Sequence, residues 1–381
     1  MTVQASERTQ IQEKNALHLE EIDYVEFYVG NARQAAHFFC TAFGFTSVAY
    51  AGLETGWRDR SSYVLKQSNI CFVVTSALTP DSPVAEFVKL HGDGVYDIAL
   101  RVDDVHATFK SAVMRGAKPI LEPVTIAGEA GCLVKATIAS YSNDLVHSFV
   151  HRHHNTEFSP EYVPLSSQFS TPIPELIEID HIVINVELGK MDGWAKFYSS
   201  VMDFYAFQEF TSRDISTLNT ALSSKVLQNK TGQVRFAVNE PVIGSGRSQV
   251  QEYLDFYQGS GVQHIALRTN SIVKVVQQWR INGVEFLYTP DAYYDGLRQR
   301  IGEMNEDWDA IRDLNILVDR DHEGYLLQIF TKPLTDRPTV FLEIIQRNGS
   351  KGFGNGNFKA LFEAIEREQA NRGTLYSIPE D

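Results

Sequence analysis

The sequence predicts an α+β protein built from two tandem copies of one strand-and-helix arrangement, with an extra helix at the C-terminal end. Three observations predict it. Two segments open alike, EIDYVEFYVGNARQAAHFFCTAFGF from Glu21 and EIDHIVINVELGKMDGWAKFYSSVMDFYAF from Glu178, each a short alternating strand followed by helical periodicity. Two later segments match as well: GDGVYDIALRVDDVHATFKSAVMRGAKPILEP from Gly92 and GSGVQHIALRTNSIVKVVQQWRINGVEFLYTP from Gly259. In both, a strand leads into a helix, then a glycine and a second strand. Finally, NFKALFEAIEREQ carries Phe358, Leu361, Phe362 and Ile365 at i, i+3, i+4 and i+7, the pattern of an amphipathic helix.

Taken in chain order, MTVQASERTQIQEKNALHLEE is polar and has no apolar core of a signal peptide, so residues 1–19 are expected to be a disordered tail. Residues 20–153 form the first copy. HNTEFSPEYVPLSSQFSTPIPE follows, holding four of the thirteen prolines and little periodicity, and residues 154–177 are expected to be a linker. Residues 178–381 form the second copy with the terminal helix. A third, weaker pair, VHSFVHR from Val146 and FLEIIQR from Phe341, aligns Arg152 with Arg347.

The 381 residues are 43% hydrophobic and 22% charged, an ordinary globular composition. A formal net charge of −14 with no Lys/Arg-rich run argues against a nucleic-acid partner. No apolar stretch is long enough to span a bilayer. Cys40, Cys71 and Cys132 are widely spaced, fit no zinc or disulfide pattern and suit a reducing cytoplasm.

The segment GVQHIALRTNSI places His264 in the middle of an apolar strand. A buried imidazole must be hydrogen-bonded or metal-bound, and a satisfied core histidine is the ordinary explanation. The repeat supplies a comparison. His181 lies where the first copy has Tyr24, His264 where it has Asp97, and Glu343 where it has Ser148. The strands therefore form without these residues, and the second copy has two histidines and a carboxylate at equivalent positions. Two imidazoles and one carboxylate are the ligand set of mononuclear non-haem Fe(II), one ion per chain, with three positions left open. Zinc also accepts such ligands, although a catalytic zinc site usually leaves one open position. The HRHH run, His151 to His154, lacks ordered spacing and reads as a solvated basic edge. His322 falls in a turn-like stretch.

The segments DHIVINV, GVQHIAL, LLQIFTKPLTDRPTVFLEIIQR and GFGNGNFKALFEAIEREQ resemble the 4-hydroxyphenylpyruvate dioxygenases of the vicinal-oxygen-chelate family, from about residue 20 to 373. The resemblance implies paired βαβββ modules that form half-open barrels, a non-catalytic N-terminal domain and a catalytic C-terminal one. It implies iron on His181, His264 and Glu343, an α-keto acid substrate that brings its own chelating group, and O2. Homogentisate and CO2 would be the products, in tyrosine catabolism or in supply of quinone and tocopherol precursors. A homo-oligomer, dimer or tetramer, is expected.

Carried over residue by residue, the aromatic ring would lie between Phe330 and Phe358 with Phe341 and Phe353 nearby, and Asn357 would also bind the substrate. Ser224, Asn239, Gln249, Gln263 and Gln328 would act at the polar ends of the substrate. Gln263 conflicts with simple alternation, which turns it away from the face of its neighbour His264. Two departures bear on pocket volume: Ala237 in FAVNEP and Ile184 in DHIVINV stand where the family usually has proline and glycine. The terminal helix reads both as a docked end helix and as a lid over the site, with Gly352, Gly354 and Gly356 as hinge candidates. Two other activities stay open: benzylic hydroxylation of the same substrate, as in 4-hydroxymandelate synthase, and non-catalytic binding of an aromatic molecule, which this fold also supports.

Overall fold

The computed structural model describes residues 17–129, 131–153, 156–166, 176–211, 216–217, 220–242 and 246–375. The first sheet contains β1 (Leu19–Tyr28), β2 (Thr46–Ala51), β3 (Arg60–Gln67), β4 (Ile70–Ala77), β5 (Gly94–Val102), β6 (Pro119–Gly128), β7 (Gly131–Ala139), β8 (Val146–Arg152) and β9 (Val163–Pro164). The second contains β10 (Leu176–Asn185), β11 (Tyr205–Phe210), β12 (Leu222–Gln228), β13 (Arg235–Pro241), β14 (Gly261–Thr269), β15 (Leu317–Arg320), β16 (Tyr325–Phe330) and β17 (Phe341–Asn348).

Their orders are β6-β7-β8-β5-β1-β4-β3-β2-β9 and β11-β12-β13-β10-β14-β17-β16-β15. A helix follows the first strand of every module: Ala32–Phe43, Val105–Met114, Met191–Met202 and Ile272–Ile281. Each sheet is thus two βαβββ modules, joined where their first strands pair antiparallel, β1 with β5 and β10 with β14. This is the expected α+β arrangement of two tandem half-barrels.

One face of each sheet is covered by those helices, and the covered faces meet. Phe43 lies edge-on to Trp279 at 4.7 Å, and His147 Nε2 is 3.0 Å from the Tyr198 hydroxyl, so one large core spans both halves. The other face of each sheet curves around a cavity. The αL cap Gly44 ends the first helix and accommodates its φ of 80° at no steric cost.

Three boundaries differ from the sequence expectation. Residues 1–16 of the expected tail lie outside the described residues, but Leu17 and Leu19 are already buried and β1 opens at Leu19. Part of the expected linker packs on the first sheet: Val163 pairs with Tyr50, and Phe158 is buried against Tyr24. Residues 154–155 and 167–175 lie outside the described residues, and β10 begins at Leu176. Aromatic side chains available to cover the open face of the first sheet explain why a proline-rich stretch is held there.

A candidate metal centre on three adjacent strands

β10, β14 and β17 lie side by side at the centre of the second sheet. Ala266 of β14 pairs with His181 of β10 on one side and with Glu343 of β17 on the other. These three residues therefore form one row across the sheet. His264 precedes Ala266 by two residues and shares its face. The methyl side chain of Ala266 leaves the space between the two flanking donors open. His181, His264 and Glu343 are 4%, 7% and 1% exposed, and one donor atom of each lies within 4.8 Å of the others. Both imidazole Nε2 atoms face the same carboxylate oxygen, Glu343 Oε2, at 3.3 Å from His181 and 3.4 Å from His264.

The opposite ring nitrogens are fixed. His181 Nδ1 donates to Asp180 Oδ1 at 2.9 Å, and His264 Nδ1 donates to Gln263 Oε1 at 3.0 Å. Each Nε2 is thereby left as the lone-pair donor that a metal requires. A sequence neighbour can reach the ring in each case because the ladder is bulged. Between Ile179 and His181 the partner strand advances one residue, and Asp180 is the extra one. Between Val183 and Ile184 the extra residue is Gln263. A bulge breaks the alternation and re-aims a side chain. This removes the conflict over Gln263, which lines the His264 side of the cavity.

Charge is balanced inside the site. Burial opposes ionisation of Glu343, but the two imidazoles hold its carboxyl below the usual range. Burial likewise disfavours protonation of His181, yet the Glu343 and Asp180 carboxylates outweigh it and raise its pKa. Burial lowers that of His264. Asp180, although buried, is driven well below the usual carboxylate range by Arg347 and His181. Two buried imidazoles face one buried carboxylate oxygen. A divalent ion fits this set, replacing a proton that the cluster otherwise has to hold.

Around this cluster is a cavity of about 70 Å³. Ser224, Asn239, Gln249, Gln263, Gln328, Phe330, Phe353 and Phe358 line it, so eight of the sequence-derived residues converge there. Gln328 Nε2 donates to Glu343 Oε1 at 3.2 Å, Asn357 Nδ2 donates to Gln328 Oε1 at 3.1 Å, and the Tyr293 hydroxyl donates to Asn357 Oδ1 at 2.6 Å. Asn357 therefore stands behind Gln328 rather than on the wall. Phe341 is not on the wall either. It stacks on His264 at 4.9 Å and 20°, on the side of a smaller neighbouring cavity.

Phe353 packs edge-on to His181 at 5.0 Å, and Phe358 edge-on to Phe210 at 4.9 Å. Ala237 lines the cavity. Ile184 does not, being fully buried in the helix-side core, so only the first of the two departures changes pocket volume. Sequence reasoning missed Phe210, Leu222, Val226 and the Asp180–Arg347 pair. The pair had a signal, because Arg347 aligned with Arg152 and Asp180 with Asp23.

The helix Phe358–Arg372 closes the cavity with Phe358, Leu361 and Phe362. Of the three hinge candidates, only Gly354 has a left-handed φ, at 75°. A Cβ there would lie 1.8 Å from Gln328 Oε1, so glycine is also required for the close approach to Gln328.

Comparison with known proteins agrees with this geometry. Residues 14–154 match the family described as hydroxyphenylpyruvate dioxygenase, N-terminal, and residues 178–329 match the glyoxalase/bleomycin resistance protein/dioxygenase superfamily. The chain is 43% identical to the 4-hydroxyphenylpyruvate dioxygenase of Yarrowia lipolytica, over 93% of each chain. It is also 43% identical to that of Dictyostelium discoideum, over 94% of this chain and all of the other. Among solved structures, a triple variant of 4-hydroxymandelate synthase from Streptomyces coelicolor superposes with a TM-score of 0.82 at 36% identity, covering 93% of this chain and all of that one. With two relatives above 40% identity along nearly their whole length, the chain belongs to the 4-hydroxyphenylpyruvate dioxygenase family.

Proposed function

We propose that the cavity holds one Fe(II) on His181 Nε2, His264 Nε2 and a Glu343 oxygen. There the chain converts 4-hydroxyphenylpyruvate and O2 to homogentisate and CO2. The observation that carries this reading is the convergence of three buried metal donors on one face, inside a cavity walled by aromatic rings. The ion, when bound, supplies the chelation of the keto acid and the activation of O2.

The protein's own part is positioning and exclusion of water. Phe330, Phe353 and Phe358 present apolar faces to an aryl ring. Ser224, Asn239, Gln249 and Gln263 offer hydroxyl and amide groups to a phenol or a carboxylate. Gln328 holds Glu343 in place and is itself held by Asn357, which limits drift of the carboxylate ligand. As it stands the cavity is smaller than the few hundred Å³ typical of ligand pockets. The helix Phe358–Arg372 covers this cavity with Phe358, Leu361 and Phe362 and so serves to keep water from a bound substrate. Among the described residues no helix is long and apolar enough to cross a membrane. Three free cysteines suit a reducing compartment such as the cytoplasm.

The superposition on a 4-hydroxymandelate synthase favours one second reading, benzylic hydroxylation of the same substrate. One experiment tests both. The protein is loaded anaerobically with Fe(II), given 4-hydroxyphenylpyruvate and air, and its products are separated. Homogentisate as main product supports the first reading, and 4-hydroxymandelate would replace it with the second. O2 uptake that requires added 2-oxoglutarate would overturn both.

A further inference from the structure

One segment of the second copy has no counterpart in the first. Residues 282–316 join the helix Ile272–Ile281 to β15, whereas residues 115–118 are enough to join the equivalent helix Val105–Met114 to β6. The longer connection carries the short helical turn Asp291–Tyr293 and the helix Leu297–Ile301. It brings Tyr293, half-buried, and Arg300 against Asn357 and β15, on the far side of Gln328 from Glu343.

The Tyr293 hydroxyl accepts from the Val318 N–H at 2.9 Å and from Arg300 Nη2 at 3.3 Å. A phenol has two lone pairs and one proton, so with both lone pairs taken it can only donate. Two oxygens are within reach, Asn357 Oδ1 at 2.6 Å and the Val318 carbonyl at 3.0 Å. The carbonyl already accepts from Arg300 Nη2 at 3.2 Å, and the amide oxygen is the closer of the two. The proton therefore goes to Asn357.

The other end of the chain asks for the same direction. A carboxylate that ligates a metal is ionised and can only accept. Gln328 accordingly turns Nε2 to Glu343 and Oε1 to Asn357, and Asn357 turns Nδ2 to Gln328 and Oδ1 outward. The oxygen and nitrogen ends of an amide are nearly equal in size, so the shape of the two buried side chains does not choose between this direction and its reverse. The groups at the two ends choose. While the chain runs this way, Gln328 occupies Glu343 Oε1, and Oε2 is left facing the two imidazole Nε2 atoms.

We propose that Tyr293 is a positioning residue for the metal centre. Its hydroxyl, held by the Val318 N–H and Arg300, fixes the direction of the Asn357 and Gln328 amides and so keeps Glu343 turned with Oε2 toward the ion. The proposal rests on the reading of His181, His264 and Glu343 as the Fe(II) ligands.

The test measures Fe(II) affinity of the full chain and its variants by competition with a chelator of known strength. Tyr293→Phe should weaken iron binding roughly three- to tenfold, less than the 10- to 100-fold usual for a group bonded directly to a ligand. Tyr294→Phe loses a hydroxyl of the same turn, one that donates to the Ile316 carbonyl at 3.3 Å, and should leave the affinity unchanged. In a Gln328→Met background Tyr293→Phe should change affinity by less than about twofold, because its effect travels through that amide. Asn357→Leu cuts the chain one residue further out and takes the place of Gln328→Met if that variant does not fold. An equal loss from Tyr293→Phe with and without the intact chain would overturn the proposal, since general loosening of the turn would then be its cause. Unchanged affinity in Tyr293→Phe would overturn it too and leave the metal reading standing. A wild-type chain that binds no Fe(II) would overturn the metal reading and this proposal with it.

Discussion

Arg347 grips Asp180 with two hydrogen bonds, Nε to Oδ2 at 2.6 Å and Nη2 to Oδ1 at 2.7 Å. The same carboxylate accepts from His181 Nδ1, so the guanidinium is two hydrogen bonds removed from the imidazole whose Nε2 is the proposed metal donor. Two backbone carbonyls, of Ser350 and Gly352, hold the other arm of Arg347. The imidazole is thus fixed in ring orientation and tautomer by a chain that ends at the turn before the terminal helix.

Asp180→Asn keeps the shape but removes the anion. Iron affinity should fall about 10- to 100-fold, the usual cost of losing such a partner. Competition with a chelator of known strength measures it, and an unchanged affinity would make the pair a structural brace only. Arg347→Met should show the same direction and in addition loosen the Ser350–Gly352 turn.

Glu343→Ala should abolish iron retention while the chain still folds. β17 does not need the carboxylate, because β8 forms the equivalent strand with Ser148. Metal analysis together with a circular dichroism melt checks this. Normal iron content in the variant would remove Glu343 from the ligand set.

Gly354→Ala probes the support of that carboxylate. The added methyl meets Gln328 Oε1 in a backbone conformation that alanine adopts poorly, so strain of about 1 kcal/mol or more is expected. Gln328 must then release Asn357 or Glu343. Turnover should fall severalfold with near-normal iron content, whereas Gly373→Ala, at a cap with open space around it, should leave turnover intact.

The three candidate metal donors were legible because a repeat converts a lone histidine into a comparison. Tyr24, Asp97 and Ser148 show that the strands form without His181, His264 and Glu343. Alternation along the strand did not account for Gln263 on the His264 side of the cavity, nor for Asp180 as the partner of His181 Nδ1. A bulge depends on the pairing of two strands distant in sequence, and alternation along one strand cannot reveal it. Phe341 and Asn357 illustrate a second limit. Both are next to the site, but one stacks behind His264 and the other bonds behind Gln328, and depth is not encoded in spacing. Phe158 and Val163 were hidden for another reason: proline-rich composition marks a connection without showing that it docks on a sheet.

The helix Phe358–Arg372 is anchored at its far end. Arg372 and Thr374 donate to Glu252, Gln369 Nε2 donates to the Arg247 carbonyl, and Thr217 and Thr220 both donate to Glu366. Ending the chain after Asn357 removes the helix yet keeps Phe353 and the bond from Asn357 to Gln328. Iron should remain and O2 uptake should become uncoupled from product, since water now reaches the site. Unchanged coupling in the truncated protein would make the helix a brace rather than a cover.

The last prediction concerns which carbon is oxidised. After decarboxylation two adjacent atoms compete, the ring carbon that bears the side chain and the benzylic CH2 beside it. A difference of about 1.4 kcal/mol between their barriers changes the product ratio tenfold, so a small rotation of the ring decides. Phe358 lies on the cavity wall with its plane at 84° to that of Phe210, and the pair forms a rigid corner against which the substrate ring can rest. Phe358→Ile removes the flat surface but keeps an apolar side chain. Part of the flux should move to 4-hydroxymandelate, with slower turnover because the ring is held less firmly. Chromatography of the products of both proteins reads the ratio directly. A variant that loses rate at an unchanged ratio would show that Phe358 packs against the substrate without steering it, and the choice of carbon would then rest with Phe330 and Phe353 nearer the metal donors.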